Sequence, residues 1–141
     1  MRISATLDRW SPYALAVLRI VTALIFIEHG TQKLFGFPAP PQGGLPPLLS
    51  IYGIGGVLEL VGGLLILVGL FTRPVAFILA GEMAVAYWMM HAARSFYPAL
   101  NGGDAAILYC FVFVLLVFTG PGALSIDGSR RPAGPRHSWE R

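Results

Sequence analysis

The sequence predicts an all-α integral membrane protein, a four-helix bundle with both termini in the cytoplasm, and three observations carry that prediction. Of its 141 residues, 55% are hydrophobic and only 12% are charged. Soluble domains carry about a quarter charged residues, so too little polar surface is left to coat a water-soluble globule. Mean hydropathy is +0.68. The apolar residues fall into four runs separated by Pro- and Gly-bearing segments, each near the ~20 residues needed to cross a bilayer. Finally, the basic residues outside those runs gather at the chain ends and in one turn: Arg2, Arg9, Arg73, Arg130, Arg131, Arg136 and Arg141. Positive residues stay on the cytoplasmic side, and an even number of spans puts both ends there.

The first span is expected from about Pro12 to Lys33, with Pro12 near its start, where a missing N–H costs nothing. Its Arg19, its continuation into Glu28-His29-Gly30 and the lack of a small-residue cleavage site argue against a signal peptide. A loop rich in Pro and Gly follows, from Gly36 to Pro47. The second span, about Ser50 to Leu70, is dense in glycine, and small residues let helices approach closely in lipid. Phe71-Thr72-Arg73-Pro74 makes a tight turn into the third span, about Pro74 to Arg94. Tyr97 to Gly103 connects to a shorter fourth span, Asp104 to Thr119, closed by Gly120-Pro121-Gly122. One domain over residues 1–126 is expected, with a disordered cytoplasmic tail over residues 127–141. The single cysteine, Cys110, excludes an intramolecular disulfide and a CxxC redox pair. A net charge of +3 drawn mainly from the chain ends argues against nucleic-acid binding.

Ionisable residues within a span are costly and face a protein interior or a cavity. At a helical rise of ~1.5 Å per residue, Arg19 and Glu82 lie roughly 11 to 12 Å from the cytoplasmic side and Glu59 about 18 Å. They are expected to form a mid-membrane cluster in which the planar Arg19 fork meets the two carboxylates. That cluster reads equally as a device that locks helix register. Glu28, His29 and His91 form an outer tier at roughly 24 to 26 Å, flanked by Lys33, Arg94, Asn101 and Asp104. His, carboxylate and amide groups at one depth can bind a polar head group and move protons. The bland alternative is a belt of solvated helix ends, with snorkelling Lys33 and Arg94 and the anchors Trp88 and Tyr97. A haem held by His29 and His91 is a weaker reading. No metal site is expected, since the Glu-x-x-His motif of carboxylate-bridged centres is absent, and Met83, Met89 and Met90 read as packing.

Taken together, Leu18-Arg19-Ile20, His29-Gly30 with Lys33-Leu34, Glu59 with Gly62-Gly63, and Gly69-Leu70-Phe71-Thr72-Arg73 form an ordered series of motifs. It continues through Gly81-Glu82-Met83 with Ala86, Asn101-Gly102-Gly103-Asp104 and Gly120-Pro121-Gly122. In order and spacing the chain resembles the DoxX family of small four-helix bacterial membrane proteins, over about Leu18 to Asp127. The resemblance implies an inner-membrane protein tied to a redox system, some family members being similar to a thiosulfate:quinone oxidoreductase subunit. It implies roles at the shared polar positions: Arg19, His29, Lys33, Glu59, Glu82, Asn101 and Asp104. Without a cysteine pair, thiol oxidation would require a partner oxidoreductase or a bound quinone.

Three functional readings follow. In the first, a redox-associated subunit binds quinone or a small thiol-type substrate near the outer face, with Glu28, His29 and His91 as proton-moving candidates. In the second, a non-enzymatic scaffold recruits a soluble oxidoreductase. In the third, a proton-coupled carrier, dimerised to complete a path, uses Glu59 and Glu82 for coupling. No phosphate-binding loop or nucleophile elbow occurs, which sets aside kinases, ATPases and serine hydrolases.

Overall fold

The computed structural model describes residues 2–130, and among these the secondary structure is entirely helical. Helix α1 (Arg2–Phe35) is followed by α2 (Ile51–Val68) and α3 (Thr72–Ala86). α3 continues without a break into a π-helical turn, Tyr87–His91. A short α4 (Pro98–Asn101) precedes α5 (Asp104–Thr119), and a last short helix, α6, covers Ile126–Ser129. α1 and α2 are each long and apolar enough to cross a membrane, and α5 is a shorter apolar helix.

The helix limits differ from the expected ones in two informative places. α1 begins well before Pro12 and runs through it, so its 34 residues extend about 51 Å, well beyond a hydrocarbon core of ~30 Å. Residues 4–14 of α1 are exposed. Asp127, expected to begin the polar tail, lies in α6 and is held to the bundle. The rest of that expected tail, residues 131–141, lies outside the described residues.

Each end of each helix must have its unpaired backbone groups satisfied, and in lipid no water is there to do it. At the end of the bundle that holds α6 and the turn between α2 and α3, charged side chains do so. Arg19, fully buried, donates to Ile66 O (2.7 Å) and Leu67 O in the last turn of α2. It also reaches Pro121 O (2.9 Å), Ala123 O (3.3 Å) and Leu124 O (2.8 Å) beyond α5. Arg73 donates to Val117 O (2.6 Å) and Phe118 O (2.7 Å), closing α5. Asp127 accepts from the N–H groups of Phe71 (3.0 Å) and Thr72 (2.8 Å) at the start of α3. Cations thus sit on helix C-termini and an anion on a helix N-terminus, as the helix dipole favours.

α1 packs along α2, and α3 along α5. The core is formed by Ala23, Phe26, Ile66, Ala76, Leu79, Ala80, Met83, Phe113 and Leu116. Glycines set the α1–α2 contact. A methyl group at Gly30 would stand 2.6 Å from the backbone nitrogen of Leu60, and one at Gly63 would stand 2.7 Å from Ile27 Cγ1. Neither position has room for a side chain, so the two backbones run close together.

Candidate functional site

At the end of the bundle away from α6, the helices part around a cavity of about 620 Å³. His29 and Lys33 come to it from α1, Glu59 and Gly55 from α2, Glu82 from α3, and His91 from the π-turn. Phe26, Leu58, Met83, Met89 and Tyr109 supply apolar wall.

The close approach at Gly30 brings Lys33 beside α2, where a methyl group at Gly56 would stand 2.9 Å from Lys33 Cβ. Glu59 is three positions further along α2, about 4.5 Å deeper in the bundle. Side chains on a helix lean toward its N-terminus. On these antiparallel helices Lys33 therefore leans inward and Glu59 outward, and they meet: Lys33 Nζ donates to Glu59 Oε1 at 2.6 Å. The Glu59 side chain is 4% exposed and that of Lys33 26%, so this is a largely buried ion pair.

Glu82 is the third member of the group. A methyl group at Gly55 would stand 3.3 Å from Glu82 Oε1 and 3.9 Å from Lys33 Nζ. The bare Gly55 backbone thus leaves space beside the carboxylate and the ammonium. Oε2 of Glu59 and Oε2 of Glu82 are buried without a hydrogen-bond partner among the described residues. Buried polar atoms are nearly always paired, and two orphaned carboxylate oxygens on one cavity wall mark a place that expects a donor.

The π-turn shapes the other part of the wall. One extra residue per turn changes which side chains face inward, and such turns recur at functional sites. Here it places Met89, Met90 and His91 on the cavity. His91 Nδ1 lies 3.1 Å from the Asn101 carbonyl, and Tyr52 Oη donates to Met90 Sδ at 2.9 Å.

Of the residues expected from sequence, His29, Lys33, Glu59, Glu82 and His91 share this cavity. Four stand elsewhere. Arg19 is at the opposite end of the bundle on helix-end carbonyls, so the expected Arg19–Glu59–Glu82 cluster does not form and the basic partner of the carboxylates is Lys33. Glu28 is exposed and does not line the cavity. Asn101 is buried and organises its own loop, donating to Ser95 O (2.9 Å) and accepting from Gly103 N (2.7 Å). Asp104 is exposed at the first turn of α5, where a carboxylate suits the helix dipole. Gly55, Tyr52, Met89 and Tyr109 were missed as wall residues. Glycine density signalled close packing in α2, whereas nothing in the residues Tyr87 to His91 announces a π-turn.

Long apolar helices, helix ends closed by side chains, and a polar cavity between them describe an α-helical membrane protein. The DoxX family model matches residues 14–92, and the chain belongs to the DoxX family. It is 46% identical to an uncharacterised protein of Haemophilus influenzae over 86% of this chain and 93% of that one. It is 34% identical to the inner membrane protein YphA of Escherichia coli, over 82% and 89% of the two chains. A Bacillus subtilis protein named "Putative oxidoreductase CatD" is 30% identical over 79% of this chain and 82% of its own. No solved structure matches the chain.

Proposed function

We propose that the chain is a bacterial inner-membrane protein in which α1, α2, α3 with its π-turn, and α5 cross the bilayer with both termini in the cytoplasm. It serves a membrane redox system as a ligand-binding subunit or partner, handling a quinone or a small thiol-type substrate. The observation that carries this reading is the convergence of Lys33, Glu59 and Glu82 with His29 and His91 on one cavity. Its volume, about 620 Å³, falls within the range of small-molecule sites. With the termini inside, the cavity opens toward the outer leaflet, where a lipid-soluble molecule can enter sideways.

The residues divide by task. Lys33 and Glu59 fix the polar wall, while Glu82 and the two histidines are positioned to hold or pass protons. A bound quinone would supply the electron-carrying chemistry. The inner-membrane name of the E. coli relative supports the location, and the name of the B. subtilis relative supports the redox setting.

The test is extraction of the full chain in mild detergent from its native membrane, followed by mass spectrometry and visible absorbance of what co-purifies. A lipophilic small molecule is expected with the wild-type chain and absent from Gly55→Leu, whose side chain fills the space beside Glu82. Folded wild-type protein that carries no ligand, and takes up none when partners are present, would sink the proposal.

A further inference from the structure

A second hollow, of about 470 Å³, lies between α3 and α5. Phe77, Ala80 and Gly81 line it from α3, and Cys110, Val114 and Phe118 from α5. Among the described residues its walls carry no charged or hydroxyl side chain. Phe77 is 70% exposed and Phe118 76%, so both stand on the lipid-facing rim. From Phe118 to Cys110 the groove follows α5 for about 12 Å, close to half of a hydrocarbon core of ~30 Å. It has the reach of one leaflet.

Arg73 stands at the mouth of this groove. It lies one turn before Phe77 on α3 and therefore on the same face. Exposed to its surroundings, it donates through Nη1 to the carbonyls of Val117 and Phe118, two residues of the groove wall. Those two bonds fix the guanidinium in place. Nε and Nη2 make no hydrogen bond among the described residues. At Gly120 no side chain covers them, and a methyl group there would stand 3.4 Å from Nη2 and 3.6 Å from Nε. With an edge of this kind an arginine grips a phosphate through two N–H groups. Asp127, the carboxylate of this end, is held on the N–H groups of Phe71 and Thr72 and leaves the Arg73 charge unneutralised.

We propose that Arg73 and this groove bind an anionic phospholipid, its phosphate on Nε and Nη2 and one acyl chain along Phe77, Gly81 and Val114. In the proposed orientation the lipid belongs to the cytoplasmic leaflet, whose negative surface is drawn to basic residues. A free phosphate would find the fork alone, and a zwitterionic lipid lacks the net charge. The site does not depend on what the cavity beside Glu82 binds.

The experiment is native mass spectrometry of the full chain released from detergent micelles, titrated in turn with dioleoyl phosphatidylglycerol and dioleoyl phosphatidylcholine. Phosphatidylglycerol is expected to bind about fivefold more tightly, the effect of one basic residue. Glycerophosphoglycerol, the same head group without chains, should not displace it. Arg73→Gln should abolish the preference. Gly81→Leu, whose side chain enters open space on the groove wall, should weaken both lipids roughly threefold or more and keep the preference. The wild-type and Gly81→Leu comparisons stand if Arg73→Gln, which also loses a cap of α5, fails to fold. Equal affinity for the two lipids, or a preference that survives in folded Arg73→Gln, overturns the head-group site. Displacement by glycerophosphoglycerol, or unchanged binding in Gly81→Leu, overturns the groove. A dimer that sheds lipid assigns the face to a second copy and overturns the proposal.

Discussion

Lys33 and Glu59 meet at 2.6 Å with the carboxylate almost fully enclosed. A buried ion pair adds little over a well-packed apolar pair, but removing one partner strands the other charge. Lys33→Met is therefore expected to destabilise the protein by about 3–5 kcal/mol, read as a lowered melting temperature in detergent. Adding Glu59→Leu should recover most of that loss. A double variant no more stable than Lys33→Met would show that the pair is not what holds the site. The positions of these charges were legible in the sequence, because an ionisable residue inside an apolar run is conspicuous. Their partners were not. Depth, charge and the planar fork match Arg19 to the carboxylates, yet its guanidinium is filled by carbonyls of Ile66, Leu67, Pro121, Ala123 and Leu124. Backbone acceptors are carried by every residue and leave no mark in a sequence.

The contact between α1 and α2 depends on Gly30, where a methyl group would already collide with the Leu60 backbone. Gly30→Leu should force the helices apart, at about 1–3 kcal/mol for overpacking. Because the same displacement separates Lys33 from Glu59, its cost should fall well short of additive with that of Lys33→Met. Fully additive melting-temperature losses would mean that the glycine contact and the ion pair are independent. At the other end, α6 pins the start of α3 through Asp127. Burial alone would raise the Asp127 carboxyl, but hydrogen bonds from Thr72 and Phe71, with Arg130 nearby, hold it below the ordinary carboxylate range. A group depressed in the folded state lends stability above its unfolded value of ~3.9 and loses it as pH falls through the lower folded value. Melting temperature is accordingly expected to drop on acidification below about pH 4. Asp127→Asn should melt lower at neutral pH and show a shallower acid-side drop, and identical pH profiles would exclude the pin.

For the molecule as a whole, the proposed orientation fixes which compartment the cavity serves. Green fluorescent protein fused to either terminus is expected to fluoresce. Alkaline phosphatase inserted in the loop between α1 and α2 is expected to be active. The reverse pattern would turn the cavity toward the cytoplasm and remove the argument for ligand entry from the outer leaflet. The same orientation leaves the exposed first turns of α1 projecting on the cytoplasmic side.

Membership of the DoxX family, the helical class, and the approximate place of each long helix were determined by the sequence alone. Hydropathy, glycine and proline act locally and sum along the chain, so they can be read residue by residue. The sequence also marked Lys33, Glu59, Glu82, His29 and His91 as residues of interest. Only the tertiary structure decided that these five share one cavity, that Arg19 and Asn101 are architectural, and that Glu28 and Asp104 face outward. That decision depends on helix rotation and register, on the inward lean of Lys33 across the Gly30 contact, and on a π-turn that moves His91 onto the wall. Each is a relation between elements distant in sequence, and a relation of that kind is settled by packing.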